Sequence, residues 1–292
     1  MDGNPIIAGT DGSEDSLRAV EWAAREAVRR TAALRVVSAP ELPPRMSPGP
    51  AGSQTVAGLV VEGTREALAS AAERAAEVAP GLTIDTELLS GPPAQALIDA
   101  AHHASMLVVG SRGAGGFAAM TLGSVSRYAA VHSPVPVVIA REESMAVHRE
   151  IVAGIRDPDE SAALLEFAFQ EAVLRKARLL ALHAWFRFGP AIGSRGAQGS
   201  SQRAAIDPEE VQAYAAMRLD ETLAVWRQKY RDVQTGWEVV HAHPGRVLAG
   251  ASARADLVVL GKHREHDRTG VGSVTHAVLN HAHGPVACVP PD

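Results

Sequence analysis

Residues 6–40, IIAGTDGSEDSLRAVEWAAREAVRRTAALRVVSAP, align without a gap on residues 151–185, IVAGIRDPDESAALLEFAFQEAVLRKARLLALHAW. The similarity returns further along, where Pro93 pairs with Pro244 and the run MLVVG ending at Gly110 pairs with LVVLG ending at Gly261. Self-similarity at a fixed offset indicates a repeated structural unit. We therefore expect two homologous domains, residues 1–143 and 149–292, which meet near residues 142–150.

Short apolar segments alternate with helical segments in each repeat. In the first repeat the pattern predicts strands at 6–8, 34–37, 83–89, 106–109 and 135–140, and helices from Ser13 as N-cap to 30 and at 57–79, 93–103 and 124–131. Continuous runs of Val, Ile and Leu have no face to offer to water, so the strands should form a parallel sheet covered by helices on both faces. The predicted fold class is α/β, with two doubly wound domains whose ligands bind beyond the carboxyl ends of the strands.

Two segments fall outside this alternation. Residues 41–53 and 188–207 follow the second strand of each repeat and are rich in Gly, Pro and Ser. Their composition predicts mobile loops near the expected binding edge.

Composition narrows the class of protein. The 292 residues are 46% apolar and 21% charged, which is typical of a folded chain. A net charge of −5 without a Lys/Arg block argues against binding to nucleic acid or to an anionic membrane. The start of the chain does not resemble a signal peptide, and no run of 18 apolar residues occurs. The single cysteine, Cys288, cannot form an intrachain disulfide, which favours a reducing, cytoplasmic compartment.

The most specific motif follows the fourth predicted strand of the first repeat. It reads Gly110, Ser111, Arg112, Gly113, then nine residues, then Gly123 and Ser124 at the start of a helix. Glycines let a backbone approach a ligand closely, and a helix N-terminus presents unpaired N–H groups, so the motif suits a phosphate chain. The alternative is a plain glycine-rich connection with Ser124 as the N-cap.

Asp11 ends the first strand, in GTDGS, and should lie on the same edge of the sheet. Its carboxylate could accept hydrogen bonds from a ribose hydroxyl or a base amine. The alternative is a residue that only caps its own turn, as Asp beside Gly often does.

These motifs resemble the universal stress protein family in its tandem form, and the spacing of Gly110, Gly113, Gly123 and Ser124 matches the ATP-binding branch. The resemblance implies Rossmann-like domains of the adenine nucleotide alpha hydrolase type, each a five-stranded parallel sheet flanked by helices that pairs through its last strand. It implies that Gly9, Thr10 and Asp11 meet adenine and ribose and that Ala39 lines the adenine pocket. The residues implied to wrap ribose and phosphates are Gly110, Arg112, Gly113, Gly123, Ser124 and Val125.

The second repeat departs from this pattern. Arg156 aligns with Asp11, and Asp157 follows one place later. After Gly261 the sequence runs Lys262, His263, Arg264, so Arg264 replaces the second glycine and only seven residues precede Gly272. Arg264 could block a backbone approach or offer charge to a phosphate. A second site would use Asp157, through a shifted turn, with Gly261, Gly272, Ser273 and Val274.

Motifs for catalysis and metal binding are scarce. The three lysines, Lys176, Lys229 and Lys262, lack the glycine spacing of a P-loop, and no GxSxG elbow occurs. We therefore expect no catalytic residues. Histidines 241, 243, 263, 266, 281 and 283 are expected to be polar loop and surface residues, and a zinc or nickel site is the alternative.

The leading hypothesis is an ATP-binding stress-response sensor or regulator, with ATP bound with or without Mg²⁺. The alternatives are an interaction module with a vestigial nucleotide site and a slow ATP hydrolase. Segments 135–140 and 286–289 are expected to pair, giving an internal pseudo-dimer or a homodimer. The sequence identifies no protein partner.

Overall fold

A computed structural model of the chain describes residues 3–41, 52–113, 122–141, 147–186, 207–262 and 272–291. The strands of the first half are β1 (Ile6–Gly9), β2 (Leu34–Ser38), β3 (Ile84–Leu88), β4 (Met106–Gly110) and β5 (Val137–Ala140), and its helices are α1 (Glu14–Arg30), α2 (Gly52–Val78), α3 (Pro93–Ala101) and α4 (Ser124–His132). The strands of the second half are β6 (Glu150–Gly154), β7 (Arg178–Trp185), β8 (Thr235–His241), β9 (Leu257–Gly261) and β10 (Val286–Val289), and its helices are α5 (Ala162–Arg175), α6 (Pro208–Lys229), α7 (Pro244–Ala251) and α8 (Ser273–His281).

The strands form one ten-stranded sheet in the order β3-β2-β1-β4-β5-β10-β9-β6-β7-β8. Every pairing within a half is parallel, so the predicted α/β fold with two five-stranded parallel units is confirmed. The two units join through β5 and β10, which pair antiparallel with Val138 opposite Ala287. The chain therefore forms its own internal pseudo-dimer through the last strand of each half.

Helices cover both faces of the sheet, because the strand residues are apolar on both sides. Ile6 and Ala8 of β1 pack into a core with α1, α2, α5 and α6, whereas Ile7 packs into the opposite core with α3, α4, α7 and α8. Successive side chains thus point to opposite faces of the sheet, as they do in any β-strand. Burial on both faces explains why β1 and β4 read as uninterrupted apolar runs.

Several predicted boundaries need correction. Ser13 caps α1 as expected, since its side chain accepts from the Ser16 N–H. Helix α4 begins at Ser124, as predicted, and Gly123 occupies the cap position, so the alternative of Ser124 as the cap is wrong. The last strand of the first half begins at Val137 and not at 135, because Ser133 and Val135 form a local turn.

The predicted loops after the second strand of each half are only partly described. Helix α2 begins at Gly52, so Gly52 and Ser53 belong to a helix and the start expected at 57 was too late. Asp207 caps α6 by accepting from the Glu209 N–H at 2.9 Å, so this end of the second segment is a helix cap. Residues 42–51 and 187–206 lie outside the described part of the chain. Among the helices within the described ranges, none is both long and apolar enough to cross a membrane.

A buried ion network joins the two halves on the α1/α5 side of the sheet. Arg30 donates to Glu26 at 2.6 Å and also to Glu171. Arg175 donates to Glu171 and, at 2.8 Å, to Glu26. The aligned aromatic residues complete the pattern, because Arg30 lies over the Phe167 ring and Arg175 over the Trp22 ring. Each arginine contacts the glutamate of its own half and the glutamate at the equivalent position of the other half. The network therefore has the two-fold symmetry of the repeat.

Both carboxylates of this network are fully buried. Burial raises their pKa, but around Glu26 the charges of Arg175 and Arg30 outweigh burial and hold its pKa below the usual value. At Glu171 burial, together with the nearby Glu26 carboxylate, leaves the pKa raised. A buried charge that loses its partner costs far more than an exposed one, so the network fixes how the halves meet.

Two cations also cross the β5–β10 seam to helix ends. Arg141 donates to the Leu279 carbonyl near the end of α8, and Lys262 donates to the Ser133 carbonyl at the end of α4 at 2.9 Å. Cations suit helix C-termini because the carbonyls there carry partial negative charge. Burial lowers the pKa of Lys262 to about 8.

We predict that Glu26→Gln destabilises the chain by about 3 kcal/mol, because it leaves the two buried guanidiniums with a single carboxylate. Urea unfolding at neutral pH measures this change. Glu62→Gln is the matched control, since Glu62 pairs with Arg65 on the exposed surface at 3.2 Å and should change stability by less than about 0.5 kcal/mol. Equal effects of the two substitutions would refute the role of the network.

Lys262 should make stability rise with pH. Its folded pKa of about 8 lies below the usual lysine value of 10.5, so the unfolded chain binds more protons between these pH values and the cost of burying the ammonium fades as pH rises. Relative to Lys262→Met, wild type should gain about 3 kcal/mol in unfolding free energy between pH 7.5 and 10.5. Denaturant titrations at several pH values test this, with exposed Lys229→Met as the control. Parallel pH curves for wild type and Lys262→Met would contradict it.

Candidate functional site

The turn after β1 is held by short hydrogen bonds. Asp11 Oδ1 accepts from the Ser13 N–H at 3.0 Å and from the Ser13 hydroxyl at 2.5 Å. The Thr10 and Ser16 hydroxyls lie 3.0 Å apart, and Gly12 takes a positive φ of 79°. Asp11 therefore does cap its own turn, and the same turn fixes its carboxylate at the carboxyl end of the sheet.

The glycines after β4 permit two close contacts. A Cβ at Gly110 would lie 2.8 Å from the carbonyl carbon of Asp15 in α1, and a Cβ at Gly113 would lie 2.5 Å from Asp11 Oδ2. The contact at Gly110 is with backbone and leaves no room for a side chain, whereas the contact at Gly113 is with the end of the Asp11 side chain, which a Cβ would displace. The loop therefore passes close to α1 because Gly110 is a glycine, and Gly113 leaves room for the Asp11 carboxylate.

The second part of the motif, Gly123 and Ser124, lies against the end of β4. The Gly123 N–H donates to the Ser111 carbonyl at 2.8 Å, and the Ser126 hydroxyl donates to the Gly110 carbonyl at 2.6 Å. The start of α4 is thus held against the end of β4. Because the cap residue is Gly123, no capping side chain accepts a hydrogen bond from the first N–H groups of the helix. Residues 114–121 lie outside the described part of the chain.

A cavity of about 500 Å³ opens between these elements. It is lined by every residue that the sequence predicted for the first half: Gly9, Thr10, Asp11, Ala39, Gly110, Arg112, Gly113, Gly123, Ser124 and Val125. Val37, Leu97 and Val109 add apolar surface deep in the cavity.

One whole wall of this cavity was not predicted from the sequence. Val60, Gly63, Thr64 and Ala67 of α2 line it, and Pro93 and Leu97 of α3 face them from the other side. The small residues Gly63 and Ala67, one helical turn apart, could have indicated a face that something approaches closely. Their position opposite the glycine loop depends on the packing of α2 and has no local signal.

A cluster of charged side chains surrounds Asp15, beside Arg112 of the glycine loop. Asp15 Oδ2 accepts from the Ser111 hydroxyl at 3.0 Å and from Arg112 Nε at 2.9 Å, and Asp15 Oδ1 accepts from Arg18 at 2.8 Å. Burial raises the pKa of Asp15, but the hydrogen bonds from Arg112 and Ser111 outweigh burial and hold it below its usual value. Asp15 therefore stays ionised and keeps Arg112 at the cavity.

The second half arranges the equivalent positions differently. Arg156, which aligns with Asp11, is exposed and lies 3.8 Å from Glu160. Asp157 Oδ1 accepts from the Asp159 N–H at 3.0 Å, so it caps its turn as Asp11 does but one position later. Gly261 ends β9, while Gly272 caps α8 and is followed by Ser273 and Val274 in that helix. Arg264 lies outside the described residues.

Helix α6 also differs from α2 at the positions that correspond to the cavity wall. Counted back from the helix ends at Val78 and Lys229, Tyr214 and Arg218 stand where Gly63 and Ala67 stand in α2. Arg218 donates to Asp159 at 2.6 Å and to the Tyr214 hydroxyl at 3.2 Å. Larger, paired side chains thus bridge α6 and the turn after β6.

Aromatic and imidazole groups replace small residues at the end of β7. His183 Nδ1 lies 3.0 Å from the Ile155 carbonyl. The equivalent contact in the first half is the hydrogen bond of 2.6 Å that the Ser38 hydroxyl donates to the Thr10 carbonyl. Trp185 stacks on His241, with ring centroids 4.1 Å apart. Histidines 263 and 266 are outside the described residues, and within the described ranges no three His, Cys, Asp or Glu side chains are grouped to hold a metal ion.

Comparison with known proteins gives consistent matches. The model of the universal stress protein family matches residues 4–141 and again residues 148–290. A universal stress protein of Mycolicibacterium smegmatis is 34% identical over 298 residues, covering 98% of this chain and 97% of that protein. One from Mycobacterium tuberculosis is 31% identical over 290 residues, covering 96% and 95%. The crystal structure of a universal stress protein from Archaeoglobus fulgidus has a TM-score of 0.71 at 17% identity, covering 99% of this chain and 96% of that one.

We predict that Gly110→Ala destabilises the chain by about 2 kcal/mol, because the added methyl group would push against the backbone of Asp15. Gly58→Ala is the control, since nothing lies within 4 Å of a Cβ there and alanine favours a helix. Thermal and urea unfolding of both variants measure the difference. A neutral Gly110→Ala would show that β4 and α1 do not require this close approach.

Proposed function

Because the chain belongs to the universal stress protein family, we propose that its first half binds ATP in the cavity at the carboxyl edge of the sheet and that the protein acts as a nucleotide-dependent stress-response regulator. The observation that carries this proposal is the convergence of Asp11, the α2 wall and the glycine motif on one cavity. Its volume of about 500 Å³ suits a small-molecule ligand.

The two ends of the cavity suit the two ends of a nucleotide. Val37, Leu97 and Val109 offer apolar surface on which an adenine ring can pack. Asp11, held by its turn, can accept hydrogen bonds from ribose hydroxyls through its carboxylate. The ring and the sugar would therefore lie between β1, β2 and α2.

The phosphates would follow the glycine loop. Gly110 and Gly113 keep side chains away from the backbone, and the unpaired N–H groups at the start of α4 favour negative charge. Arg112 adds a guanidinium at the cavity. This arrangement lets a chain with a net charge of −5 bind a polyanion locally.

The cavity offers little for hydrolysis. No lysine or histidine occurs among its described lining residues, so these supply neither the lysine of a P-loop nor an imidazole base. We propose that ATP acts mainly as a bound ligand, with at most slow turnover. Bound Mg²⁺ would be carried by the phosphates.

We propose one nucleotide per chain. In the second half Arg156 replaces the carboxylate, and Tyr214 and Arg218 stand where Gly63 and Ala67 line the first cavity. These features favour an interaction role for the second half, with a vestigial site. Cys288 is fully buried, and burial raises the pKa of its thiol to about 11, which suits an unreactive cysteine in a reducing, cytoplasmic compartment.

We predict that Asp11→Asn weakens ATP binding at least tenfold, because asparagine can still cap the turn but loses the carboxylate that meets the ribose. Isothermal titration calorimetry with ATP measures the change. Asp157→Asn is the matched control, since Asp157 caps the corresponding turn of the second half, and it should change the affinity less than twofold. The proposal fails if wild type binds no ATP at millimolar concentration, or if both variants bind as wild type does.

A further inference from the structure

Gly63 is an interior residue of helix α2, where the fold itself does not require a glycine. Glycine inside an exposed helix is less stable than alanine, because it loses more backbone freedom on folding. The backbone at Gly63 has no positive φ, and a Cβ built there would meet no atom of the described residues within 4 Å. Neither the backbone conformation nor packing within the described part of the chain therefore explains this glycine.

The second half shows that a large side chain fits at the corresponding position. Counted back from the helix ends, Tyr214 of α6 stands where Gly63 stands in α2. Tyr214 is exposed, and its hydroxyl accepts from Arg218 at 3.2 Å. Gly63, in contrast, lines the cavity of the half that keeps Asp11 and the glycine motif. The glycine thus accompanies the cavity and not the helix.

Gly63 lies on the side of the cavity proposed for the ribose and the base. Helix α2 packs on α1, β2 and β3, whereas the glycine motif follows β4 on the other side of β1. Ala67 lies against the turn after β1, where a Cβ added to Gly12 would be 3.0 Å from the Ala67 Cβ. That turn carries Asp11, the carboxylate proposed to meet the ribose. Gly63 is one helical turn, about 6 Å, from Ala67 and faces the same space.

On the basis of the proposed function, we propose that Gly63 admits the nucleoside part of the nucleotide to the first half. With no side chain at this position, ribose and base pack directly against the backbone of α2. A larger residue would fill the space between α2 and the opposite wall, which Pro93 and Leu97 form. Glycine thus opens the cavity of the first half, and Tyr214 obstructs the corresponding space of the second.

The test places the residue of the second half into the first. On the full chain, Gly63→Tyr should weaken ATP binding at least tenfold by isothermal titration calorimetry, and Gly63→Ala about threefold. Both variants should stay folded, and Gly63→Ala should raise the Tm by about 2 °C because alanine favours a helix.

Gly58 offers the matched control in the same helix. A Cβ at Gly58 would also meet no described atom within 4 Å, but Gly58 is not among the described residues that line the cavity. Gly58→Tyr and Gly58→Ala should therefore change ATP affinity by less than about twofold. Equal losses of affinity in Gly63→Tyr and Gly58→Tyr would overturn the inference, since the effect would then belong to α2 as a whole.

A second nucleotide separates contact with the nucleoside from contact with the phosphates. Gly63→Tyr should weaken AMP and ATP binding by the same factor, with ADP in place of AMP if wild type binds no AMP. If Gly63→Tyr weakens only the binding of ATP, or binds both nucleotides as wild type does, the inference is wrong although nucleotide binding stands. If wild type binds none of these nucleotides, the proposed function itself fails.

Discussion

The site depends on how closely β4 approaches the start of α1. With no side chain at Gly110, the backbone of Asp15 packs directly against the strand. This contact brings the Asp15 carboxylate to Ser111 and Arg112, and it leaves Ser16 in reach of Thr10. The turn that carries Asp11 is thereby fixed next to Gly113. A single steric condition thus places the carboxylate, the glycine loop and the arginine around one cavity.

The two halves are most alike where they touch and least alike at their sites. Glu26 and Arg30 face Glu171 and Arg175, so a change in one copy removes a partner from the other. The two sites do not share residues in this way, so one can change alone. The replacement of Asp11 by Arg156 and of Ala67 by Arg218 in the second half is compatible with an intact seam. We therefore propose that one half binds the ligand and that both halves share the interface.

Sequence was sufficient for the parts that depend on local pattern. Apolar runs located β1 and β4 because both faces of these strands are buried, and the repeat predicted the second unit from the first. The alignment also paired Glu26 with Glu171, yet nothing in it showed that the pair would be buried together. The α2 wall was missed for the same reason, since its position depends on packing between segments far apart in the chain. The start of α4 at Ser124 was predicted correctly, whereas the alternative of Ser124 as the cap was wrong, because glycine can serve at the cap position as well.

The central claim is that this chain holds one adenine nucleotide, in its first half. Native mass spectrometry of the full chain, with saturating ATP and with ATP near the wild-type Kd, tests it most directly by counting ligands per chain. We expect one bound nucleotide per wild-type chain at saturating ATP, and near the Kd a ratio of bound to free chain that is at least tenfold lower in Asp11→Asn. Two nucleotides per chain, or the same occupancy of wild type and Asp11→Asn near the Kd, would contradict it.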